Sequence, residues 1–570
     1  ARYPSLWAFL SHADESYHTD LPFGDVRAAL LTWYRVSRRR LPWRGDLPPY
    51  TGSTAGMARA GAEARAPAPP RGADAGAPAN PVSPYGVWVS EVMCQQTRVE
   101  AVIPYWLAWM EAFPTVQALA EATEEQVNAR WAGLGFYRRA RMLHNGSKQV
   151  LGEFRGELPR TLEELRSLRG VGPYTAGAVA SICFGEPAPI VDGNVLRVLA
   201  RLCAVAAHPQ QPAFCAEGRL AWQLAEKLVK ADGGAHAGEL NQAIMELGAT
   251  LCAPSGTGAD PRDPLGPFYK STKIGADALQ ARRDGALEAL LGAAGHGVFS
   301  CPACAAGAGA YLEGLRAAGT EEAAAAQAHL LLPLPPPRKA RREERLVVLA
   351  LRREPVPGEQ GPAWLLWRRA GAGLLAGQWE FPCALVAQHL GAPPEDPGPE
   401  ARGAAASALL RELGAEEGLS GRESLPGPLE HVFSHVRHIM HVERALVPEG
   451  AALAASGAGA EFRRGERRLC WMGVGHMADV GVTAAVRKVL GEVASRLGPE
   501  AASAETPPGR KRRRAAVAGG ARPKRSAPGG VRGAGEGKGE RQQQLSFTKP
   551  LRACADAGGC IDVDSGDAAE

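Results

Sequence analysis

The chain has 570 residues, 45% apolar and 22% charged, with 68 Gly and 45 Pro, enough apolar material for two to four folded domains. No run of about 18 apolar residues marks a membrane-spanning helix, and 11 Cys are too sparse for a disulfide scaffold, which fits a reducing compartment. The formal charge of +5 is local: residues 505–541 hold 11 Lys/Arg against 3 Asp/Glu, so the rest of the chain is slightly acidic. The chain starts at Ala1 rather than Met, so a targeting segment is neither shown nor excluded.

Residues 25–40 read as an amphipathic helix with Val26, Leu30, Trp33 and Tyr34 on one face and a basic end. Leu41-Pro42-Trp43-Arg44 follows, and then an Ala/Gly/Pro-rich insertion at 46–80. From Ser83 to about Arg201 the pattern is helical, with capping-box signatures at Thr123–Gln126 and Thr161–Glu164. Residues 254–297 read as a second low-complexity stretch, and Pro333–Arg345 as a stiff basic connector. Beyond it, 346–351 and 364–367 read as strands and 404–413 as a helix. The tail from about 500 has the composition of a disordered segment.

Two motifs carry chemistry. Leu165-x-x-Leu168-x-Gly170-Val171-Gly172 closes one helix and turns into the next through a Gly-x-Gly hairpin, whose backbone N–H groups suit a phosphate. Twenty residues on lies Val191-Asp192-Gly193-Asn194-Val195-x-Arg197. A lone Asp before a helix is usually only an N-cap. A hairpin followed at this spacing by an Asp resembles the helix-hairpin-helix base-excision glycosylases. Trp88-Val-Ser-Glu91-Val-Met-Cys94-Gln95-Gln-Thr97-Arg98, with Leu41–Arg44, Gly133-Leu-Gly-Phe-Tyr137 and Met245-Glu246-Leu-Gly-Ala249, narrows the resemblance to the MutY family of adenine DNA glycosylases.

The resemblance implies a multidomain chain. An all-α helix-hairpin-helix glycosylase domain at 24–250 is followed by an iron–sulfur-type loop at 251–310. A connector at 311–345, an α+β Nudix (MutT-like) domain at 346–497 and a disordered basic tail at 498–570 complete it. It also implies roles. Glu91 protonates adenine, and Asp192, with Asn194 beside it, stabilises an oxocarbenium-like sugar. Apolar neighbours of Glu91 are expected to raise its pKa. Bifunctional relatives such as endonuclease III carry a Schiff-base Lys where this chain has Tyr174, and a phenol cannot form an imine. Hence a monofunctional enzyme is expected. Trp43, Arg44, Cys94 and Glu246 map to the adenine pocket, Cys94 replacing an apolar Leu. Gln95, Tyr137, Gly170 and Gly172 map to DNA contacts made when the base is flipped. Arg138, Arg139 and Arg141 read as a further DNA-facing cluster.

The family's [4Fe–4S] loop has four Cys. Here Cys252, Cys301 and Cys304 match three, 48 residues separate the first two, and the fourth position falls on Ala310. Three readings fit this incomplete set, a cluster with a non-Cys fourth ligand, loss of the cluster, or an erroneous sequence in the Gly/Ala-rich stretch, and a bound cluster is the expectation. In the Nudix-like region the metal-binding box is broken at Pro397, Gly403 and Ala415, which opposes pyrophosphatase activity. Phe433-Ser434-His435 matches the family's 8-oxoguanine-reading loop. The runs 510–514 and 522–525 read as a nuclear localisation signal or DNA-binding arm, and Gln542–Phe547 faintly resembles a sliding-clamp-binding box. The expected partner is double-stranded DNA carrying A:8-oxoguanine or A:G. Rival readings are a related mismatch glycosylase of other base specificity, an inactive damage-binding protein, and a nucleotide hydrolase.

Overall fold

A computed structural model describes residues 2–51 and 82–494, apart from 255, 257, 259, 294–296, 320–322, 338–341, 357–358, 360, 370–376, 391–395, 416–417, 434–435 and 481. The insertion centred on 52–81, the basic tail and the clamp-like box lie outside these residues.

The first part is helical throughout and has two apolar cores. One gathers Trp88, Trp106, Trp109 and Trp131 with Val89, Leu143 and Leu165. Its helix Pro84–Cys94 starts with Pro at its first turn and Ser83 Oγ accepting from the Gly86 N–H. The other core is built around helices Gly193–Cys203 and Ala237–Ala249. Helix Pro173–Phe184 borders both: Tyr174 and Ala178 belong to one core, Ala176 and Val179 to the other. Small residues make this sandwiching feasible. A Cβ on Gly177 would meet the Pro189 carbonyl at 2.5 Å, and one on Gly248 would meet Asn194 Cβ at 2.7 Å. The Thr123 box forms in full; Thr161 accepts from the Glu164 N–H, while its hydroxyl donates to the Glu164 carboxylate.

The helical part extends beyond the expected limits. Helices Pro4–Ser11 and Ser16–Thr19 bury Leu6, Phe9 and Leu10 in the same core. The stretch expected to be low-complexity, 254–297, contains helices Lys270–Arg283 and Leu287–Gly292, with Ile274, Leu287 and Leu291 buried. Their apolar residues recur at helical spacing among Ala and Gly, and composition hid the period.

The second part is a nine-stranded mixed sheet. Among the described residues the strands are β1 (Arg342–Arg353), β2 (Ala363–Arg368), β3 (Trp379–Glu380), β4 (Cys383–Leu390), β5 (Ser420–Ser424), β6 (Leu429–Val432), β7 (Val436–Leu446), β8 (Glu461–Arg464) and β9 (Arg467–Met472). The main path runs β5-β7-β1-β2-β9-β8, with β3, β4 and β6 paired to β2, β1 and β7. β1 (Arg342–Arg353) starts inside the expected connector. It pairs in parallel with β7 (Val436–Leu446) and antiparallel with β2 (Ala363–Arg368) and β4 (Cys383–Leu390). Leu346, Val348 and Ala350 point to one core and Val347, Leu349 and Leu351 to the other, so both faces are buried and the strand reads as a continuous apolar run. Helices Pro399–Leu413 and Ala484–Ala494 cover the two faces.

Candidate active site

Glu91 sits in the last turns of helix Pro84–Cys94, Tyr174 at the second position of helix Pro173–Phe184, and Asp192 caps helix Gly193–Cys203. The chemistry therefore lies where the two apolar cores meet. The Tyr174 hydroxyl donates to Glu91 Oε2 at 2.5 Å, with Met245 Sδ at 3.1 Å from the same oxygen. The Glu91 side chain is half-buried. Burial raises its pKa to about 7; the Tyr174 hydrogen bond opposes this, the Asp192 charge adds to it, and Arg44 opposes it. Burial likewise raises Asp192, opposed by the Val195 N–H, Asn194 and Arg197. Asp192 Oδ1 accepts from the Val195 N–H and Oδ2 from Asn194 Nδ2, both at 2.8 Å. Arg197 in turn donates to Asn194 Oδ1 at 2.7 Å and to the Gly248 carbonyl. Two carboxyls thus share a site in different surroundings: Glu91 titrates near neutral pH, while Asp192 is held by donors suited to its ionised form.

Beside them lies an ion-paired cluster. Glu246 is almost wholly buried. It accepts from the Arg39 N–H and Nε through Oε1, and from Arg44 Nη2 at 3.0 Å through Oε2. Burial would raise its pKa, but Arg44 and Arg39 outweigh burial and hold it at about 2. Arg44 also lies over the Tyr34 ring. Trp43, on the same short turn Pro42–Arg44, is buried against Trp106. Cys94 has a thiol that burial keeps protonated. Arg39 was not singled out by sequence, because Arg38, Arg39 and Arg40 look alike there.

The chain matches the HhH-GPD superfamily base excision DNA repair protein family over 89–221 and the NUDIX domain over 358–492. It is 34% identical over 442 residues to the adenine DNA glycosylase of Homo sapiens, which covers 74% of this chain and 67% of that protein. It is 32% identical over 483 residues to the Mus musculus protein of that name (83% and 79%) and 30% identical over 495 to that of Arabidopsis thaliana (81% and 63%). This chain belongs to the adenine DNA glycosylase family.

Within that family frame, the DNA-facing candidates divide. Gly170, with φ +79°, and Gly172, which caps helix Pro173–Phe184, form the hairpin, and a Cβ on Gly170 would strike Met142. Gln95 ends the Glu91 helix, and Tyr137 precedes helix Arg138–Glu153. Tyr137 lines a cleft with Arg368, Trp379 and His476 of the sheet domain. Phe136 beside it is 48% exposed. Arg139 departs from its expected DNA-facing place. It is buried and donates to the carbonyls of Val92, Met93 and Gln95 at 3.0, 2.8 and 2.5 Å. It closes the C-terminal end of the Glu91 helix, where a cation is favoured.

In the sheet domain, Phe433 joins β6 (Leu429–Val432) to β7 and packs between His431 and His438; Ser434 and His435 lie outside the described residues. Ala415, where the metal-binding box expects a carboxylate, is part of the apolar core.

The expected metal set is not the one the fold assembles. Among the described residues, Cys301 and Cys304 group with His12 and His18, their ligand atoms all within 4.8 Å of one another. This group is compatible with a bound metal. Cys252 is outside it: its sulfur accepts from Arg201 Nη1 at 3.3 Å and its carbonyl from Arg197 and Arg201. Ala310 lies exposed on helix Ala308–Ala317. His12 and His18 are missed by sequence because they precede the expected domain and lie more than 280 residues from the cysteines.

Proposed function

We propose that the protein is a monofunctional glycosylase that hydrolyses the N-glycosidic bond of adenine paired with 8-oxoguanine or guanine in double-stranded DNA. The observation that carries the reading is the Tyr174–Glu91 pair facing Asp192. A carboxyl titrating near 7 can donate a proton to the adenine ring as the C–N bond breaks. Bond cleavage leaves a cationic sugar, which the Asp192 carboxylate stabilises, and water supplies the hydroxyl that ends on the sugar. Tyr174 offers no amine, so no Schiff base forms. Trp43, Arg44, Cys94 and Glu246 line the pocket for the flipped base, Gln95 and Tyr137 fill the vacated stack, and the 433–435 loop reads the opposing lesion. The broken metal-binding box supports reading rather than hydrolysis by the sheet domain. The basic tail supports nuclear delivery, and Gln542–Phe547 contact with a sliding clamp.

A single-turnover assay on an A:8-oxoguanine duplex tests this. The wild type is expected to release adenine and the Asp192→Asn variant to lose at least about 10²–10³-fold, the scale of losing one transition-state charge partner. Borohydride is expected to trap no covalent complex. No adenine release despite intact binding would reject the enzyme reading in favour of a damage-binding protein.

A further inference from the structure

We propose that this chain holds no iron–sulfur cluster, and that a protein-only network of Arg201, Tyr269, Asp263 and His329 fills the place around Cys252 where the family resemblance puts one. A [4Fe–4S] cluster needs four thiolates spread around an Fe–S body. The resemblance supplies three, and the fold does not set them out in that way. Cys301 Sγ and Cys304 Sγ both stand against His18 Nε2, at 3.5 and 3.4 Å, which brings the two sulfurs closer together than thiolates on separate irons. The fourth position, Ala310, is an exposed methyl group on helix Ala308–Ala317.

Cys252 is engaged otherwise. Its sulfur accepts from Arg201 Nη1 at 3.3 Å and is in hydrogen-bonding contact with the Tyr269 hydroxyl. That hydroxyl donates to Asp263 Oδ2 at 3.0 Å, and Asp263 Oδ1 accepts from the Leu265 N–H at 2.8 Å. Arg201 also donates to the carbonyls of Leu332, Cys252 and Ala253. The Tyr269 ring meets the His329 ring edge-on at 4.5 Å, and His329 Nδ1 pairs with Ser271 Oγ at 3.0 Å. Arg201, Cys252, Tyr269, Ser271 and His329 are all buried. A guanidinium and a phenol thus occupy the space beside the sulfur through which iron would have to bind it. A cubane on four thiolates is also an anion, and the Asp263 carboxyl stands one phenol away from Cys252, a neighbour that disfavours buried negative charge. Linked buried hydrogen bonds of this kind fix one packing of the core without a metal.

The stretch between Cys252 and Cys301 builds this network. Its 48 residues send Leu265, Tyr269 and Ile274 into the core that holds Cys252. Helix Lys270–Arg283 buries Ile274, Ala278 and Ala281 at helical spacing, and helix Ala323–Leu330 brings in His329. Arg201 lies in the last turn of helix Gly193–Cys203, of which Asp192 is the N-cap. Protein contacts alone therefore join the Asp192 helix to the stretch that follows Cys252.

Acid-labile sulfide and iron in the full-length protein, purified without oxygen from iron-replete cells, are the test. The expected result is sulfide at background and no visible Fe–S chromophore, both as purified and after anaerobic incubation with ferrous iron and sulfide. Iron without sulfide also supports the proposal, since a cluster contains both. Cys252→Ser keeps a hydrogen-bonding atom beside Arg201 and Tyr269 and is expected to stay folded, whereas the same change at a cluster ligand removes the chromophore. Tyr269→Phe deletes the phenol that ties Asp263 to Cys252 and is expected to lower the melting temperature of the helical part by about 2–4 °C. About four irons with matching sulfide per chain, or a chromophore that Cys252→Ser abolishes, would overturn the absence of a cluster. A Tyr269→Phe melting temperature equal to that of the wild type would overturn the part given to the network. The wild-type sulfide content needs no variant, and none of these readouts depends on adenine release, so failure here leaves the proposed activity standing.

Discussion

Replacing Tyr174 with Phe isolates the control of the catalytic proton. The phenol donates to Glu91 Oε2 at 2.5 Å and favours the ionised carboxylate. Phe keeps the bulk and the burial but deletes this donor. A hydrogen bond to a charged acceptor is worth about 1.5–3 kcal/mol, and one pKa unit corresponds to about 1.4 kcal/mol. Glu91, at about 7 in the intact protein, should therefore rise by about one to two units. The acid form is the active one, so excision falls as pH rises through the Glu91 pKa. In Tyr174→Phe that falling limb should move to about pH 8–9. At pH 8 about a tenth of the wild type but about three quarters of the variant would be protonated, a roughly eightfold gain in the protonated fraction. Single-turnover excision across pH 5.5–9.5 checks this. The plateau rate is free to drop if the phenol also orients the carboxyl; the midpoint is the decisive quantity. A midpoint that stays in place or moves down would refute the assignment of Tyr174 as the group that restrains the Glu91 proton.

Other outcomes follow from the same geometry. Because Glu91 titrates higher when folded than at its ordinary value of 4.5, the folded state binds its proton more tightly. Stability is therefore lost as pH rises from about 4.5 to about 7, by about 2–3 kcal/mol after allowing for the part that faces solvent. Glu91→Gln should abolish excision yet melt higher than wild type at pH 8, with the gap closing below about pH 5. Glu246→Gln leaves Arg39 and Arg44 short of a buried counter-charge and should cost about 3–5 kcal/mol in denaturant titrations. The wild-type contribution of Glu246, whose folded pKa is lowered to about 2, is present above about 4.5 and lost as pH falls towards 2. Arg139→Met strands carbonyls at the end of the Glu91 helix and should cost about 3 kcal/mol or more, with slower excision. The salt slope of DNA binding should not change, because Arg139 is buried; a slope lowered by about one would restore it to the DNA surface.

Local chemistry was readable from the chain alone wherever it depends on short-range spacing. Tyr174 in place of a lysine was legible only through the family resemblance, whereas Asp192 before Gly193–Cys203, Gly170 and Gly172 in the hairpin and the apolar run 346–351 all follow from neighbours a few residues away. So did the expectation that Glu91 is pushed up in pKa, since Val89, Val92 and Met93 flank it. Packing partners were not readable, because nothing local distinguishes them. Arg39 and Arg139 look like surface charges in runs of arginine, and only the folded chain turns them inward onto a carboxylate and a helix end. The Ala-rich stretch 254–297 hid its helices until their apolar residues met a core. The His–Cys group shows the division most clearly. The Cys301-x-x-Cys304 pair was visible in sequence, but its companions, His12 and His18, reach it only when the N-terminal helices pack beneath Cys203. The chain determined which chemical groups were on hand; the tertiary structure decided which of them meet, because burial and distance set both the proton on Glu91 and the company of the Cys301–Cys304 pair.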